Sequence, residues 1–311
     1  MRAADLTIVI PSRDRWDVLS HTLDALRAQT DQGAETTVVV DGRDQQVPPG
    51  VGERPDVRVL IQERAGPGVA RNLGARTTRR PLLLFLGDDM VPAPTLVARH
   101  LDRHRREPAR EVAVLGHVDW HPEVASDRLL RWLDWSGSQF EYHALARRQT
   151  EEAGFGRFYA CNVSLKRELF LDSGGFDPDF RTADYEDLEL GWRLHERGMR
   201  LVYEPAAIAH HLHRYEWVDI ERRYERRARA ERLMLAKHSW FAPWFHDRIV
   251  LHANRRRASR LWPLIVDHVP ERARPLRAWV EDRADRWYHQ QLAPAFLRAW
   301  EADGRLDELV R

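Results

Sequence analysis

Asp88 and Asp89 stand side by side at the end of the run Leu82-Leu83-Leu84-Phe85-Leu86-Gly87. An apolar run of this kind reads as a strand buried on both faces, so it delivers two carboxylates to a sheet edge, where open α/β sheets bind ligands. Two adjacent acids repel and raise each other's pKa unless a cation sits with them. Their oxygens suit Mg2+ or Mn2+, ions that also hold a diphosphate. The other use of such a pair, capping the next helix, falls more naturally to Thr95, which follows Pro92 and Pro94 and opens Leu96-Val97-Ala98.

Two further groups carry chemistry. Glu186 and Asp187 open a helical pattern at about Tyr185 to Glu196, just after the turn Gly174-Gly175-Phe176-Asp177-Pro178. Acids in a first helical turn favour the helix dipole and need no other purpose, but a carboxylate beside a glycine turn can also act as a general base. His210, His211 and His213 follow a strand pattern; if extended, His211 and His213 share one face and His210 takes the other. One imidazole, one carboxylate and two phosphate oxygens would complete a Mn2+ shell.

The elements that must position these groups follow a βαβ rhythm. Strand-like runs at Leu6–Ile10, Thr36–Val40, Val57–Ile61 and Leu82–Leu86 alternate with helical patterns at Arg15–Gln29 and Gly68–Thr77. A strand is expected at Val112–Val118, a helix through Leu129–Leu133, and a strand at Arg200–Tyr203 leading through Pro205 to Ile208-Ala209. Gly66-Pro67-Gly68 could be forced into a dinucleotide G-x-G-x-x-G template only by ignoring Arg71 in its third glycine position, and strand one ends in Pro11-Ser12-Arg13 with no glycine. Beyond Tyr215 the pattern is helical to the C-terminus, interrupted at Pro243, Pro263, Pro270, Pro275 and Pro294.

Composition sets further bounds. The 311 residues suffice for one large domain with a tail. A single cysteine, Cys161, reads as a small core residue; it rules out an intrachain disulfide and fits a reducing cytoplasm. The apolar run Leu6–Ile10 is too short for a signal peptide or a membrane span. From Arg214 onward 21 Lys+Arg stand against 15 Asp+Glu, so the tail is basic and the front acidic. Near-neutral overall charge without a recognition motif argues against nucleic acid as a partner. The tail interleaves Arg222, Arg223, Arg226 and Arg227 with Leu233, Met234 and Leu235, and Arg255–Arg257 with Leu261 and Trp262. Such helices pack on a catalytic domain with solvated arginines, or touch the inner face of an anionic membrane peripherally.

Taken in order from Thr7 to His213, these motifs resemble glycosyltransferase family 2 of the GT-A fold. Thr7–Arg15 resembles that family's opening strand and loop, and Val38-Val39-Val40-Asp41-Gly42 its second strand. Gly68–Gly74 resembles the helix after strand three, Phe85–Asp89 the D-x-D segment, and Gly174–Asp177 with Glu186–Arg193 the acceptor-side turn and E-D motif. Gly87 replaces the first carboxylate of D-x-D. The resemblance implies a Rossmann-like mixed α/β sheet with flanking helices over 1–213, the donor half at about 1–110 and the acceptor half at about 111–213. A helical extension over 214–311 would follow. It further implies that Pro11, Ser12, Arg13, Asp41 and Arg71 serve the nucleotide-sugar, Asp41 at the uracil and Asp88 at the ribose. Asp89 would bind Mn2+ or Mg2+, and Asp187 would be the base, with Glu186 next in line. In that family the metal-binding histidine follows a Pro-x-Ala turn at a fixed short distance, so the resemblance, carried onto Pro205-Ala206-Ala207, implies His211 in that role, with His210 and His213 as the other candidates.

The expected activity is therefore metal-dependent, inverting transfer from a nucleotide-diphosphate sugar, a UDP-sugar first, to a hydroxyl acceptor. Acceptor contacts would fall in about Trp120–Phe158 and from Tyr215 onward. A sugar-nucleotide pyrophosphorylase would need the glycine-rich first loop that is missing here. A catalytically silent nucleotide-sugar-binding scaffold is the rival from another class, favoured by Gly87 and opposed by Asp187.

Overall fold

The computed structural model describes residues 1–142, 145, 151–270 and 272–302. Part of the Trp120–Phe158 stretch and the end of the tail lie outside them. The chain divides into two compact units, Met1–Ala125 with Glu141–Arg214, and Ser126–Phe140 with Tyr215–Arg311.

Among the described residues the first unit is built on eight strands: β1 (Leu6–Ser12), β2 (Glu35–Asp41), β3 (Val57–Gln62), β4 (Leu82–Leu86), β5 (Met90–Pro92), β6 (Val112–Trp120), β7 (Asn162–Lys166) and β8 (Arg200–His211). They form one sheet in the order β3-β2-β1-β4-β7-β6-β8-β5. β1 to β4 are parallel neighbours, whereas β7 runs antiparallel to both β4 and β6. Every residue of β4 is buried, as a strand covered by helices on both faces requires. This is the mixed α/β sheet with flanking helices that the sequence led us to expect.

β7 was not expected, because its residues do not read as an apolar run. Asn162, Ser164 and Lys166 are all buried, and each finds internal partners. Ser164 Oγ lies 2.8 Å from His100 Nδ1 and 2.9 Å from His104 Nε2, and Lys166 Nζ lies 2.7 Å from His104 Nδ1. Asn162 Nδ2 donates to His117 O at 3.0 Å and Ala207 O at 2.9 Å. Polar side chains satisfied in this way can occupy a central strand at little cost.

In β8, the strand expected at Arg200–Tyr203, leading through Pro205 to Ile208-Ala209, is one continuous strand to His211, with a register shift opposite Gly116 and His117. A bulge of this kind is where proline, lacking an N–H, is tolerated within a sheet. Beyond the bulge, β8 pairs antiparallel with β5, setting Met90 opposite His211.

The turn before the Glu186–His195 helix is tied to the helix spanning Pro67–Thr77. Asn72 Oδ1 accepts from Phe176 N at 2.8 Å and Asn72 Nδ2 donates to Phe176 O at 2.8 Å, so an amide side chain pairs with the turn as a strand would. Gly175 sits there at φ +78°, and a Cβ on it would collide with Asn72 Oδ1. Arg193 closes the turn from the helix, donating to Ser173 O and Gly175 O, each at 2.6 Å.

The second unit is helical: Arg128–Trp135, Trp217–Lys237, Trp244–Ala253, Trp262–Val266 and Arg274–Ala302. Pro294, expected to interrupt, lies inside the last of these. Its neighbours Leu292, Ala293, Ala295 and Phe296 are buried, so packing offsets the missing backbone hydrogen bond. Buried Glu231 accepts Phe245 N at 3.0 Å and His246 N at 2.9 Å, capping the start of the Trp244–Ala253 helix from a neighbouring helix. Trp132 groups Ser126–Phe140 with the tail. Its fully buried indole donates to Asp285 Oδ1 at 3.0 Å and lies on the Tyr288 ring at 4.2 Å between centroids.

Candidate active site

β4 ends in a tight turn. Gly87 N donates to Cys161 O at 3.1 Å and Met90 N donates to Gly87 O at 3.3 Å. A Cβ at Gly87 would lie 3.0 Å from both Asp89 Oδ1 and Met90 Cγ, so a side chain here would crowd the carboxylate that follows. The turn holds Asp88 and Asp89 almost fully buried, at 1% and 6% exposure.

Both carboxylates are met by positive or polar groups. Ser12 Oγ donates to Asp88 Oδ2 at 2.9 Å, and the Arg15 guanidinium forks the pair, reaching both oxygens of Asp88 and Asp89 Oδ2 at 2.7 Å. His211 Nε2 lies 3.0 Å and His213 Nδ1 3.3 Å from that same Asp89 oxygen. Leu212 N donates to Asp89 O at 2.8 Å, so the backbone fixes the register that brings both imidazoles in. Trp120 lies flat on the His211 ring, at 4.8 Å between centroids and 12° between planes. His210, on the opposite face of the strand, points to Asp119 instead. Burial pushes Asp88 up to about 6 against the pull of Arg15. Burial acts on Asp89 too, but His211 and Arg15 hold it well below the usual carboxylate range. The His211 ring is shifted down by burial, with Asp89 opposing, which favours the neutral imidazole that ligates metals.

Asp89, His211 and His213 offer ligand atoms that all lie within 4.8 Å of one another. One carboxylate oxygen and two imidazole nitrogens form a donor set that fits a divalent ion. In this structure the guanidinium of Arg15 stands among them. Its side chain is 37% exposed, so it can turn outward without disturbing the core.

The other expected donor residues are placed less uniformly. Asp41 accepts from Gln62 Nε2 at 2.8 Å, Ala65 N at 2.8 Å and Gly66 N at 3.0 Å, so it shapes the loop entering the Pro67–Thr77 helix. Arg13 donates to Asp41 O at 2.5 Å and reaches Asp44 at 2.9 Å. Pro11 lies within β1, opposite Val39. Arg71 is buried, pairs with Glu186 at 3.2 Å and lies over the Phe176 ring.

The Glu186–His195 helix begins after Tyr185, a non-glycine residue at φ +69°, ψ −11°. Residues held there cost energy and cluster where a side chain must be aimed. Asp187 Oδ1 accepts from Leu188 N at 2.8 Å, and the Ala160 backbone also bonds its carboxylate. Burial raises the Asp187 pKa, with Arg71 and these N–H groups opposing. Glu186 is pushed up to about 8, by burial first and by Asp187 second. The adjacent residues Ala160 and Cys161 thus connect the two acidic sites, Ala160 N bonding Asp187 and Cys161 O accepting Gly87 N. The Cys161 thiol is shifted upward by burial, and Asp187 and Asp89 both add to the shift, which places it within the field of both carboxylates.

Arg15 is the residue that sequence reasoning missed. It opens a helix directly after the first strand's loop, but spacing alone gave no sign that Arg15, and not Arg13, turns toward the carboxylates. Neither did it reveal that Arg71 pairs with Glu186, a contact across 115 positions.

The chain matches the family model described as glycosyltransferase like family 2 over residues 3–230. It is 31% identical over 226 residues to a validoxylamine A glucosyltransferase of Streptomyces hygroscopicus subsp. limoneus, covering 62% of this chain and 48% of that protein. It is 26% identical over 215 residues to a glucosyl-dolichyl phosphate glucuronosyltransferase of Haloferax volcanii, covering 64% of this chain and 66% of that protein. The chain spans about half the length of the first of these relatives. Among solved structures it is similar to a mannosyltransferase of Pyrobaculum calidifontis in complex with GDP-Man and Mn2+, with TM-score 0.55 and 17% identity over 98% of this chain and 78% of that one. It is also similar to GalNAc-T7 with UDP, GalNAc and Mn2+, with TM-score 0.52 and 15% identity over 75% and 51% of the two chains. The mixed sheet is that of the GT-A fold. With the family model spanning 3–230 and the motifs in family order, the chain belongs to glycosyltransferase family 2.

Proposed function

We propose that this protein is an inverting, divalent-metal-dependent glycosyltransferase that moves a sugar from a nucleotide-diphosphate donor to a hydroxyl acceptor. The observation that carries the reading is the pairing of two opposed chemistries on one backbone step: buried Asp89 and His211 with half-buried His213 on the Cys161 side, and Asp187 on the Ala160 side. The similar solved structures hold GDP-Man or UDP with Mn2+, which supports a nucleotide-sugar donor, with a UDP-sugar as our first choice.

Asp89 and His211 would hold the ion, with His213 beside them, and Asp88 would take the ribose side of the donor. Pro11, Ser12, Arg13 and Asp41 would frame the nucleotide. When bound, a divalent ion neutralises charge on the departing diphosphate, and an imidazole in its shell suits Mn2+ better than Mg2+. Arg15 yields Asp89 and turns its charge toward the phosphates. Asp187, aimed by the strained Tyr185 backbone, accepts the proton of the acceptor hydroxyl on the face opposite the leaving group. Arg71 works from the interior, holding Glu186 and moderating the carboxyl beside it. A silent nucleotide-sugar-binding scaffold would share the donor geometry but would release no nucleotide from candidate donors in the presence of an acceptor.

The tail carries an observation of its own. Of ten exposed large apolar side chains among the described residues, eight lie between Trp240 and Trp279. Arg255, Arg256 and Arg257 in the same stretch are exposed. No described helix is long and apolar enough to cross a membrane. We read the tail as a peripheral contact to anionic lipid at the cytoplasmic membrane face.

Calorimetric titration of UDP or GDP with Mn2+ should show metal-dependent binding that Asp89→Ala abolishes and His211→Ala weakens less, since water can replace one neutral ligand. Undiminished metal-dependent affinity in Asp89→Ala would remove the assignment.

Asp187→Asn should keep donor affinity and lower turnover by about 10²-fold or more. Only the ionised carboxylate accepts a proton, so wild-type turnover should rise with pH through the raised Asp187 pKa, and the variant should lose that acid limb. Equal turnover in the variant would move the base elsewhere.

The intact protein should sediment with phosphatidylglycerol-containing vesicles at low salt. It should be released by high salt and by the double substitution Trp244→Ser, Trp279→Ser. No sedimentation at low salt would refute the lipid contact.

A further inference from the structure

Far along the sequence from the residues assigned to sugar transfer, the helical unit holds a second convergence of ligating side chains. Asp285 and His289 lie one turn apart on the Arg274–Ala302 helix, so they share a face. His252 joins them from the last turn of the Trp244–Ala253 helix. All three are buried, at 7% for His252, 8% for Asp285 and 0% for His289, and their ligand atoms lie within 4.8 Å of one another.

The separations match a shared ion. His289 Nε2 lies 3.3 Å from Asp285 Oδ1, and His252 Nε2 lies 3.8 Å from Asp285 Oδ2. Ligands at about 2.0–2.1 Å from a tetrahedral zinc ion stand about 3.4 Å apart. Despite complete burial, His289 Nε2 makes no aligned hydrogen bond. Its other nitrogen, Nδ1, is 3.1 Å from the Tyr224 hydroxyl. With Nδ1 as the donor, a lone pair on Nε2 faces a carboxylate oxygen, an arrangement that calls for a cation between them. In the other tautomer a buried N–H lacks an aligned acceptor, which is unfavourable.

We propose that His252, Asp285 and His289 form a site for a divalent transition ion of the zinc class, joining two helices of the tail unit. Two imidazoles and one carboxylate select zinc-like ions over Mg2+ or Ca2+, which prefer oxygen alone. Trp132 Nε1, 3.0 Å from Asp285 Oδ1, orients the carboxylate, and Tyr224 orients His289, as outer partners do in metal sites. Arg248, 2.8 Å from Asp285 Oδ2, supplies the positive charge in this structure; its side chain is 26% exposed and can withdraw when an ion enters. The Ser126–Phe140 segment is drawn into the same assembly through Trp132.

The test uses the full chain carrying Asp89→Ala, so that the site assigned to sugar transfer does not contribute. After removal of metal with a chelator, Zn2+ is titrated by calorimetry, retained metal is counted after gel filtration, and melting is followed by circular dichroism. One Zn2+ per chain and a melting midpoint several degrees higher with saturating Zn2+ are expected. His252→Gln and His289→Gln, each with its helicity retained, should lose that stoichiometric Zn2+. Arg248→Gln, with a competing cation removed, should bind it about tenfold more tightly or better. Failure of both the parent and Arg248→Gln to bind Zn2+ while folded overturns the site, as does full Zn2+ retention by both histidine variants.

Discussion

Burial of two neighbouring carboxylates is the constraint on which the rest of the first unit turns. Asp88 and Asp89 are nearly inaccessible at the end of a strand that is apolar throughout. Their charges can be kept only if cations or hydrogen-bond donors reach them. Several features converge on that need. The first strand ends in Ser12, whose hydroxyl bonds Asp88; the helix after it brings Arg15; and β5 pairs with β8 so that His211 and His213 reach Asp89. Arg15 satisfies the pair in this structure, and it is exposed enough to give way to a stronger cation.

The acidic pair Glu186 and Asp187 answers to the same physics with different means. Glu186 has Arg71 as its buried partner, and Asp187 has backbone N–H groups of Leu188 and Ala160. The result is a pair of carboxyls whose affinities for protons are raised, as a proton acceptor near neutrality requires. Because Ala160 bonds Asp187 and Cys161 bonds the Gly87 turn, a shift of this one backbone segment would move together Asp187 and the Asp89–His211–His213 cluster, the groups we propose as base and metal ligands.

What the sequence made legible follows from how each element earns its place. β1 to β4 read easily, because parallel strands buried on both faces are continuous apolar runs. β7 did not, since its buried Asn162, Ser164 and Lys166 are matched by His100, His104 and backbone carbonyls that only the fold supplies. Pro294 reads as a break by its local chemistry, yet tertiary packing absorbs it within the last helix, while a bulge accommodates Pro205 within β8. At the site, motif order and strand alternation led to Asp88, Asp89, Asp187 and the facing of His211 and His213. Alternation likewise separated His210 from them. The pairing of Arg71 with Glu186, the fork of Arg15 and the tie from Trp132 to Asp285 join residues far apart in sequence, so no local pattern announces them.

We propose that Asp89 and His211 hold a divalent ion which replaces Arg15 when donor nucleotide is present. Crystals grown with Mn2+ and UDP or GDP, with data collected near the manganese absorption edge, test it most directly. An anomalous peak bonded to Asp89 and His211 and touching the diphosphate is expected, with the Arg15 guanidinium turned away from Asp89. Nucleotide bound with Arg15 still forked across Asp88 and Asp89, and with no anomalous peak between them and His211, would contradict it.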